Sequence, residues 1–358
     1  MAETWRLLDT GLASPARNIA LNRALLEARA TDEIPSTLRF ARFTRCVLIG
    51  ARHSGAQELD LEYCRQHAIA LQRRITSGSA GYVDERQLVW ELYLHRRELA
   101  STSLHALGRR ICHAAATGLS AFDVDARFRE RAQIEIDGCA LASGGFAVER
   151  DAILFQGMLT LEAQPAGTLG VLRTPWSGDA ESIAAAATTR LTSLNLALGS
   201  AAAPRRVKQN LAEAFESEFD VEFRDADCGL SEHTRCEAAM AAIDTRDWIE
   251  HIATPASDAP LLAATYRTGA GALAVALTYD RAARTIRRVW ITSPCPCTPA
   301  RACADFEAAL TDVPLTGLER AVGGFFGSRV VDCGGYTPAD FIAALKLAVR
   351  QPLLADNS

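Results

Sequence analysis

The chain has 358 residues, and of its 38 basic residues only Lys208 and Lys346 are lysines, the other 36 being arginines. Arginine-rich, alanine-rich coding accounts for that count without chemistry, yet it removes lysine chemistry from everything before position 208. With 49% hydrophobic and 23% charged residues and a net charge of −5, the composition excludes a disordered chain and offers no basic stripe for nucleic acid.

The opening MAETWRLLDTG has acidic residues and Trp5 where a signal peptide needs a basic start and an apolar run. The Ala-rich stretch Ile183 to Thr189 ends at Arg190, far short of the roughly 20 apolar residues that span a bilayer. A cytoplasmic chain without a membrane segment is therefore expected. Ser14-Pro15 opens an amphipathic helix over Ala16 to Ala30, because Ile19, Leu21, Ala24, Leu25 and Leu26 recur at helical spacing. Leu38 to Arg42 and Cys46 to Ile49 read as strands and Asp60 to His67 as a helix. Ile69 to Arg74 reads as a strand running into the small-residue loop Thr76-Ser77-Gly78-Ser79-Ala80-Gly81, with Gln87 to Leu94 a further strand. Ser101 to Gly118 reads as helix, and Ala132 to Ile136 as a strand turning at Asp137-Gly138, a strong hairpin signal. Ala152 to Glu162 continues as strand with an interruption at Gly157. GSAAAPRR, over Gly199 to Arg206, breaks the pattern before a helix from Val207 to Glu218. Leu273 to Tyr279 and Ile286 to Ile291 form a hairpin pair, and helices follow over Ala300 to Leu310 and Pro338 to Arg350.

Three segments in order resemble the lipoate–protein ligase A family of the biotin/lipoyl ligase superfamily. WRLLDTG with ASPARNIALNRALLEA is similar to the family's opening strand and Asn-Met-Ala-Leu-Asp helix: Asn18, Ala20 and Leu21 match, and Asn22 replaces the aspartate. LRFARFTRCVLIGAR resembles its next strand and Leu-Gly turn. The signature Arg-Arg-x-Thr/Ser-Gly-Gly-Gly-Ala-Val-x-His-Asp is matched by Arg73, Arg74, Thr76, Gly78, Ala80 and Asp84. Ser77 and Ser79 replace two glycines, Gly81 the valine and Val83 the histidine. In IEIDGCALASGGFAVERDAILFQGMLTLE, Asp137 and Gly138 match a turn, and Cys139, Ala140 and Leu141 fall on the family's Arg-Lys-Ile. Phe155 and Gln156 fall on its two histidines.

The resemblance implies an α+β fold, a mixed and mostly antiparallel sheet with flanking helices over residues 1–203, and a smaller α+β accessory domain over 204–358. It implies lipoate, ATP and Mg as ligands if the family activity persists. As partner it implies a lipoyl carrier domain of H-protein or E2 type, or another ligase-related protein. Substrate contact is expected from Arg73, Arg74, Thr76, Ser77, Gly78, Ser79, Ala80, Gly81, Asp84, Gly138, Leu141 and Ser143. Family members make lipoyl-adenylate and pass the acyl group to a carrier lysine. A family lysine supplies compact positive charge where carboxylate meets α-phosphate, and Ala140 occupies its place. The fork of an arginine does not copy an ammonium, and Arg150 is the nearest in sequence. No catalytic residue is assigned. The expectation is a protein impaired in lipoyl-adenylate formation that acts in lipoyl or carrier-domain binding or assembly; the alternative is an active lipoate or octanoate ligase or acyltransferase with an altered site.

Cys139 invites a thiol reading, since related octanoyl transferases carry the acyl group on cysteine. In those families the cysteine lies on a different loop, and a nucleophilic thiol needs a base or cation beside it; an incidental small residue next to a turn is the simpler reading. The second half holds Cys228, Cys236, Cys295, Cys297, Cys303 and Cys333 with His233. Cys295-Pro296-Cys297 is too tight for a zinc knuckle and lacks a second pair, so no metal is expected. His95, His105 and His113 are spaced for neither one helix face nor a ligand set. Thr268-Gly269-Ala270-Gly271-Ala272 precedes a strand and reads as a turn.

Overall fold

A computed structural model describes residues 3–51, 59–78, 80–99, 103–129, 132–171, 192–250, 261–292 and 302–351. The strands of the first half are β1 (Glu3–Ala13), β2 (Thr37–Phe43), β3 (Cys46–Ile49), β4 (Ala70–Arg73), β5 (Gly81–Val83), β6 (Gln87–His95), β7 (Arg127–Arg129), β8 (Gln133–Ile136), β9 (Cys139–Glu149) and β10 (Ala152–Thr160). With β11 (Val221–Asp225) they build an eight-stranded sheet in the order β11-β1-β2-β6-β10-β9-β8-β7 and a three-stranded one, β4-β3-β5. β1 runs parallel to β2 and β11, and the other described pairings of the large sheet are antiparallel, which is the mixed α+β architecture expected.

The longer helices of this part are α1 (Pro15–Ala30), α2 (Leu104–Ser120), α3 (Pro204–Phe219) and α4 (Leu230–Ile243). Ser14 caps α1, its Oγ accepting from the Arg17 amide at 3.3 Å, and Pro15 fills the first helical position, where its missing N–H costs nothing. The amphipathic reading of α1 is too narrow. Asn18, Asn22 and Arg29 are buried along with the apolar residues, because the large sheet covers one side and α4 the other. At its C-terminal end Arg29 pairs with Asp32 at 2.6 Å, and Arg97 binds the same carboxylate.

Those two guanidinium groups hold the Asp32 carboxyl well below the usual carboxylate range, Arg97 contributing most. A depressed folded-state value stabilises above the unfolded-state pKa of about 3.9 and loses that contribution as pH falls below it. Asp32→Asn is thus expected to flatten the acid limb of a stability–pH profile measured by urea unfolding, with little change in its shape above pH 5.

The strand is not interrupted at Gly157: β10 pairs continuously with β6 and β9 through it, and the space a side chain would fill is taken by Trp90, whose Cε2 would lie 2.1 Å from a Cβ there. Nor does the chain divide at residue 203. Its two compact units are Met1–Thr102 with Ala106–His251, and Ser103–His105 with Ile252–Ser358. The segment after 203 stays with the first unit because β11 completes the edge beside β1, Phe223 opposite Trp5. Val207, Leu211 and Phe215 of α3, and Cys236 and Ile243 of α4, are buried.

The second unit carries an antiparallel sheet, β12 (Leu261–Thr268), β13 (Gly271–Asp280), β14 (Thr285–Thr292) and β15 (Val313–Pro314). Helices α5 (Ala302–Ala309), α6 (Leu318–Gly327) and α7 (Pro338–Arg350) pack with it. Their core is mostly aliphatic and holds an aromatic cluster, in which Phe306 lies 4.9 Å from Phe325 and 5.1 Å from Phe341 between ring centroids. The Thr268–Gly271 stretch is the β12–β13 turn, as read from sequence. Among the described residues no helix is long and apolar enough to cross a membrane.

Candidate functional site

The register of the large sheet decides which residues share a face. Glu91 stands opposite Gln156, Gln156 opposite Gly145, Met158 opposite Ser143, and Ser143 opposite Gln133. A bulge at Leu141 then shifts the register, so that Ala140 pairs with Glu135 and stays on the face of Ser143 and Gly145. Asp137 and Gly138 close the hairpin with φ of +51° and +78°, the backbone that makes Asp-Gly a hairpin turn.

The Thr76–Gly78 loop lies over this face at Gly145. Ser77 donates its amide to the Phe146 carbonyl at 2.8 Å, and the Phe146 amide donates back to Ser77 Oγ at 3.2 Å. Gly145 permits the approach, since a Cβ there would lie 2.2 Å from the Ser77 carbonyl oxygen. Gly78 is the glycine of the family triplet that the backbone requires: its φ is +111°, whereas Ser77 is outside the left-handed region. Serine at 77 therefore costs no strain and adds a bond. Ser79 lies outside the described residues.

Thr76 ties the loop to a buried polar network. Its hydroxyl donates to Gln156 Oε1 at 2.9 Å, and Gln156 Nε2 donates to Glu91 Oε1 at 2.8 Å and Asn22 Oδ1 at 3.2 Å. Glu91 Oε2 accepts from Arg39 Nη1 at 2.8 Å and from Tyr93 Oη at 2.7 Å, and Asn22 Nδ2 donates to Tyr93 Oη at 2.9 Å. Burial, then the neighbouring Glu91 charge, push the Tyr93 hydroxyl well above its ordinary value, so it stays a donor. Asn22 and Gln156, two of the departures from the family motifs, are thus partners in space. Neither is charged, so Arg39 and Glu91 are matched one to one. Both replacements are visible in the sequence, but nothing in it signals that residues 22 and 156 meet.

The other expected site residues divide. Ala140 is half-buried and Ser143 exposed on the shared face, and the Gly138 turn is exposed beside them. Leu141, the bulge residue, is buried. Arg73 and Arg74 are buried and bonded to main-chain carbonyls: Arg73 to Gly50 at 2.8 Å and Ile249 at 3.2 Å, Arg74 to Leu48 at 3.2 Å and Ser77 at 3.1 Å. Ala80 is buried and Gly81 opens β5. Asp84 is buried in the turn before β6, accepting from the Arg86 amide at 2.9 Å and the Tyr82 hydroxyl at 3.3 Å. Arg150 is in the turn at the other end of β9, about 30 Å from Ala140 at strand rise. Lys208 of α3 pairs with Asp9 of β1 at 2.5 Å, and β1 is four strand spacings, about 19 Å, from β9. Lys346 belongs to the second unit and pairs with Glu319 at 2.6 Å.

Cys139 is half-buried at the start of β9. Cys112 is buried and its thiol is pushed up to about 12 by desolvation; Cys46 is raised the same way. With iodoacetamide at pH 8, Cys139 is expected to alkylate in the native protein while Cys46 and Cys112 react only after unfolding, as peptide mapping would show. Cys236, Cys303 and Cys333 are buried thiols and Cys228 is partly so, whereas Cys295 and Cys297 lie outside the described residues. Among the described residues no group of three His, Cys, Asp or Glu is placed to hold a metal.

Residues 14–216 match the lipoyl protein ligase A/B catalytic domain. The chain belongs to that family. Over 273 residues it is 25% identical to the octanoyltransferase LipM of Moorella thermoacetica, covering 70% of this chain and 98% of that protein. The fold is similar to that of the bi-partite lipoate protein ligase of Thermoplasma acidophilum, solved in a study of that ligase and its E2 lipoyl domain, with TM-score 0.61, 21% identity, and 71% and 100% of the two chains covered. It is also similar to P. falciparum LipL1 in complex with lipoate, with TM-score 0.71, 14% identity, and 95% and 99% covered. In this member of the family position 140 carries a methyl group, and the described lysines pair with Asp9 and Glu319.

Proposed function

We propose that this protein binds a lipoyl carrier domain and the acyl ligand of that system without forming the acyl-adenylate. The observation that carries the reading is Ala140 on the face under the Thr76–Gly78 loop, with Lys208 paired to Asp9 at the far side of the sheet. Attack of a carboxylate on an α-phosphate brings two anions together, and loss of one fixed positive contact costs roughly 10²–10³ in rate. Similarity to a ligase studied with its E2 lipoyl domain, and to P. falciparum LipL1 solved with lipoate, supports the choice of ligands. The smaller unit over Ile252–Ser358 takes the part of an accessory domain.

The test uses the full chain with ATP, Mg, octanoate or lipoate, and a purified lipoyl carrier domain. The expected result is saturable binding of the carrier with neither pyrophosphate release nor acylated carrier above background. Acylated carrier formed at a steady, enzyme-dependent rate would overturn the reading in favour of an active ligase or acyltransferase.

A further inference from the structure

The part of the sheet face beyond the loop carries two arginines from the edge strand β7, and their bonding differs. Arg127 is opposite Glu135, which is itself opposite Ala140; Arg129 is opposite Gln133, which is opposite Ser143. All six side chains therefore leave the same face, with directly paired Cβ atoms about 4.5–5.5 Å apart. Arg127 has committed its bidentate edge: Nε donates to Asp125 Oδ1 at 2.8 Å and Nη2 pairs with Oδ2 at 2.6 Å. Arg129 is held from one end only. Its Nη1 donates to Glu135 Oε2 at 2.8 Å and to the Gly138 carbonyl at 3.3 Å, and among the described residues Nε and Nη2 have no partner.

A guanidinium fixed at Nη1 with Nε and Nη2 open presents two parallel N–H groups, the geometry that grips a carboxylate through both oxygens. Its anchors do two things. The Gly138 carbonyl, set by the Asp137-Gly138 turn, fixes the plane of the group. Glu135 would by itself repel an anion lying over Ala140, and its pairing with Arg129 cancels that charge. Met158, opposite Ser143 and half-buried, adds apolar surface beside the polar residues.

We infer that Arg129 is the anion-binding residue of this site and takes the carboxylate of a medium-chain organic acid across its Nε–Nη2 edge. The inference rests on the reading that the face under the Thr76–Gly78 loop holds an acyl ligand, and it deepens that reading by naming the group recognised and the residue that recognises it. It assigns to strand β7, outside the motifs of the family signature, a fixed pair of N–H donors for the anion.

The experiment is calorimetric titration of the full-length protein with octanoate, and with octanamide, which has the same chain and no charge. Octanoate is expected to bind the unmodified protein more tightly than octanamide. Arg129→Gln should weaken octanoate about tenfold, the worth of one charge-assisted contact, and leave octanamide unchanged. Arg129→Lys should fall between the two, and Arg127→Gln should stay within about twofold of the unmodified protein. A merely structural role for Arg129 would move octanoate and octanamide together. Equal affinity for the two ligands in the unmodified protein, no octanoate binding, or full octanoate affinity in Arg129→Gln would each overturn the inference. Binding of the lipoyl carrier domain, titrated separately, keeps the two proposals apart: a carrier that fails to bind while Arg129-dependent octanoate binding persists overturns the carrier reading alone.

Discussion

Glu91→Leu is expected to lower the stability of the protein by about 3–5 kcal/mol, the cost of leaving a buried charge without its partner. Arg39 and Glu91 are both fully buried. Burial opposes the guanidinium charge, and Glu91 offsets it. Without the carboxylate, Arg39 keeps neutral partners among the described residues: Thr10 Oγ1 at 2.9 Å, Asn18 Oδ1 at 2.5 Å and the Tyr93 hydroxyl. Tyr93 and Gln156 also lose an acceptor, and the Gln156 amide is no longer constrained to point its oxygen at Thr76. Urea unfolding would show a lower midpoint at constant slope. The double variant Arg39→Met with Glu91→Leu should be more stable than Glu91→Leu alone, because an apolar pair removes the stranded charge. A single variant as stable as the unmodified protein would show that the pair contributes nothing.

The second large effect is at Gly145. Gly145→Ala places a Cβ 2.2 Å from the Ser77 carbonyl oxygen, a main-chain atom that no side-chain rotation can move aside. The loop must lift, breaking the reciprocal Ser77–Phe146 bonds and straining the Thr76–Gln156 bond. The expected cost is about 1–3 kcal/mol in stability, the range for overpacking, together with loss of octanoate binding. Hydrogen exchange separates the two consequences: the Ser77 amide should lose protection, while the β6 and β10 amides keep theirs. An unchanged Ser77 amide with intact ligand affinity would mean that the loop is not held by this contact.

Local chemistry made part of this legible in the sequence. The Asp137-Gly138 hairpin was readable because only a few residue types adopt positive φ at two successive positions. Ser14-Pro15 marked the start of α1 for an equally local reason. The sandwiching of α1 was not readable, since the apolar spacing of a helix does not say whether a second helix will cover its outer face. The same limit placed the domain boundary too early. GSAAAPRR looks like a linker, but β11 finds its partner in β1, more than 200 residues away in sequence. At Gly157 a residue that ordinarily weakens a strand is compatible with one because Trp90, on the neighbouring strand, fills the missing volume.

The sequence by itself determined the family scaffold and the absence of lysine before position 208, since motif order and residue identity need no coordinates. Only the tertiary structure decided which residues face one another. Strand register and a single bulge bring Glu135 opposite Ala140 and Arg129 close enough to pair with it, and they place Arg150 at the far end of the same strand. Proximity across a sheet is set by pairing, and distance along the chain gives no measure of it.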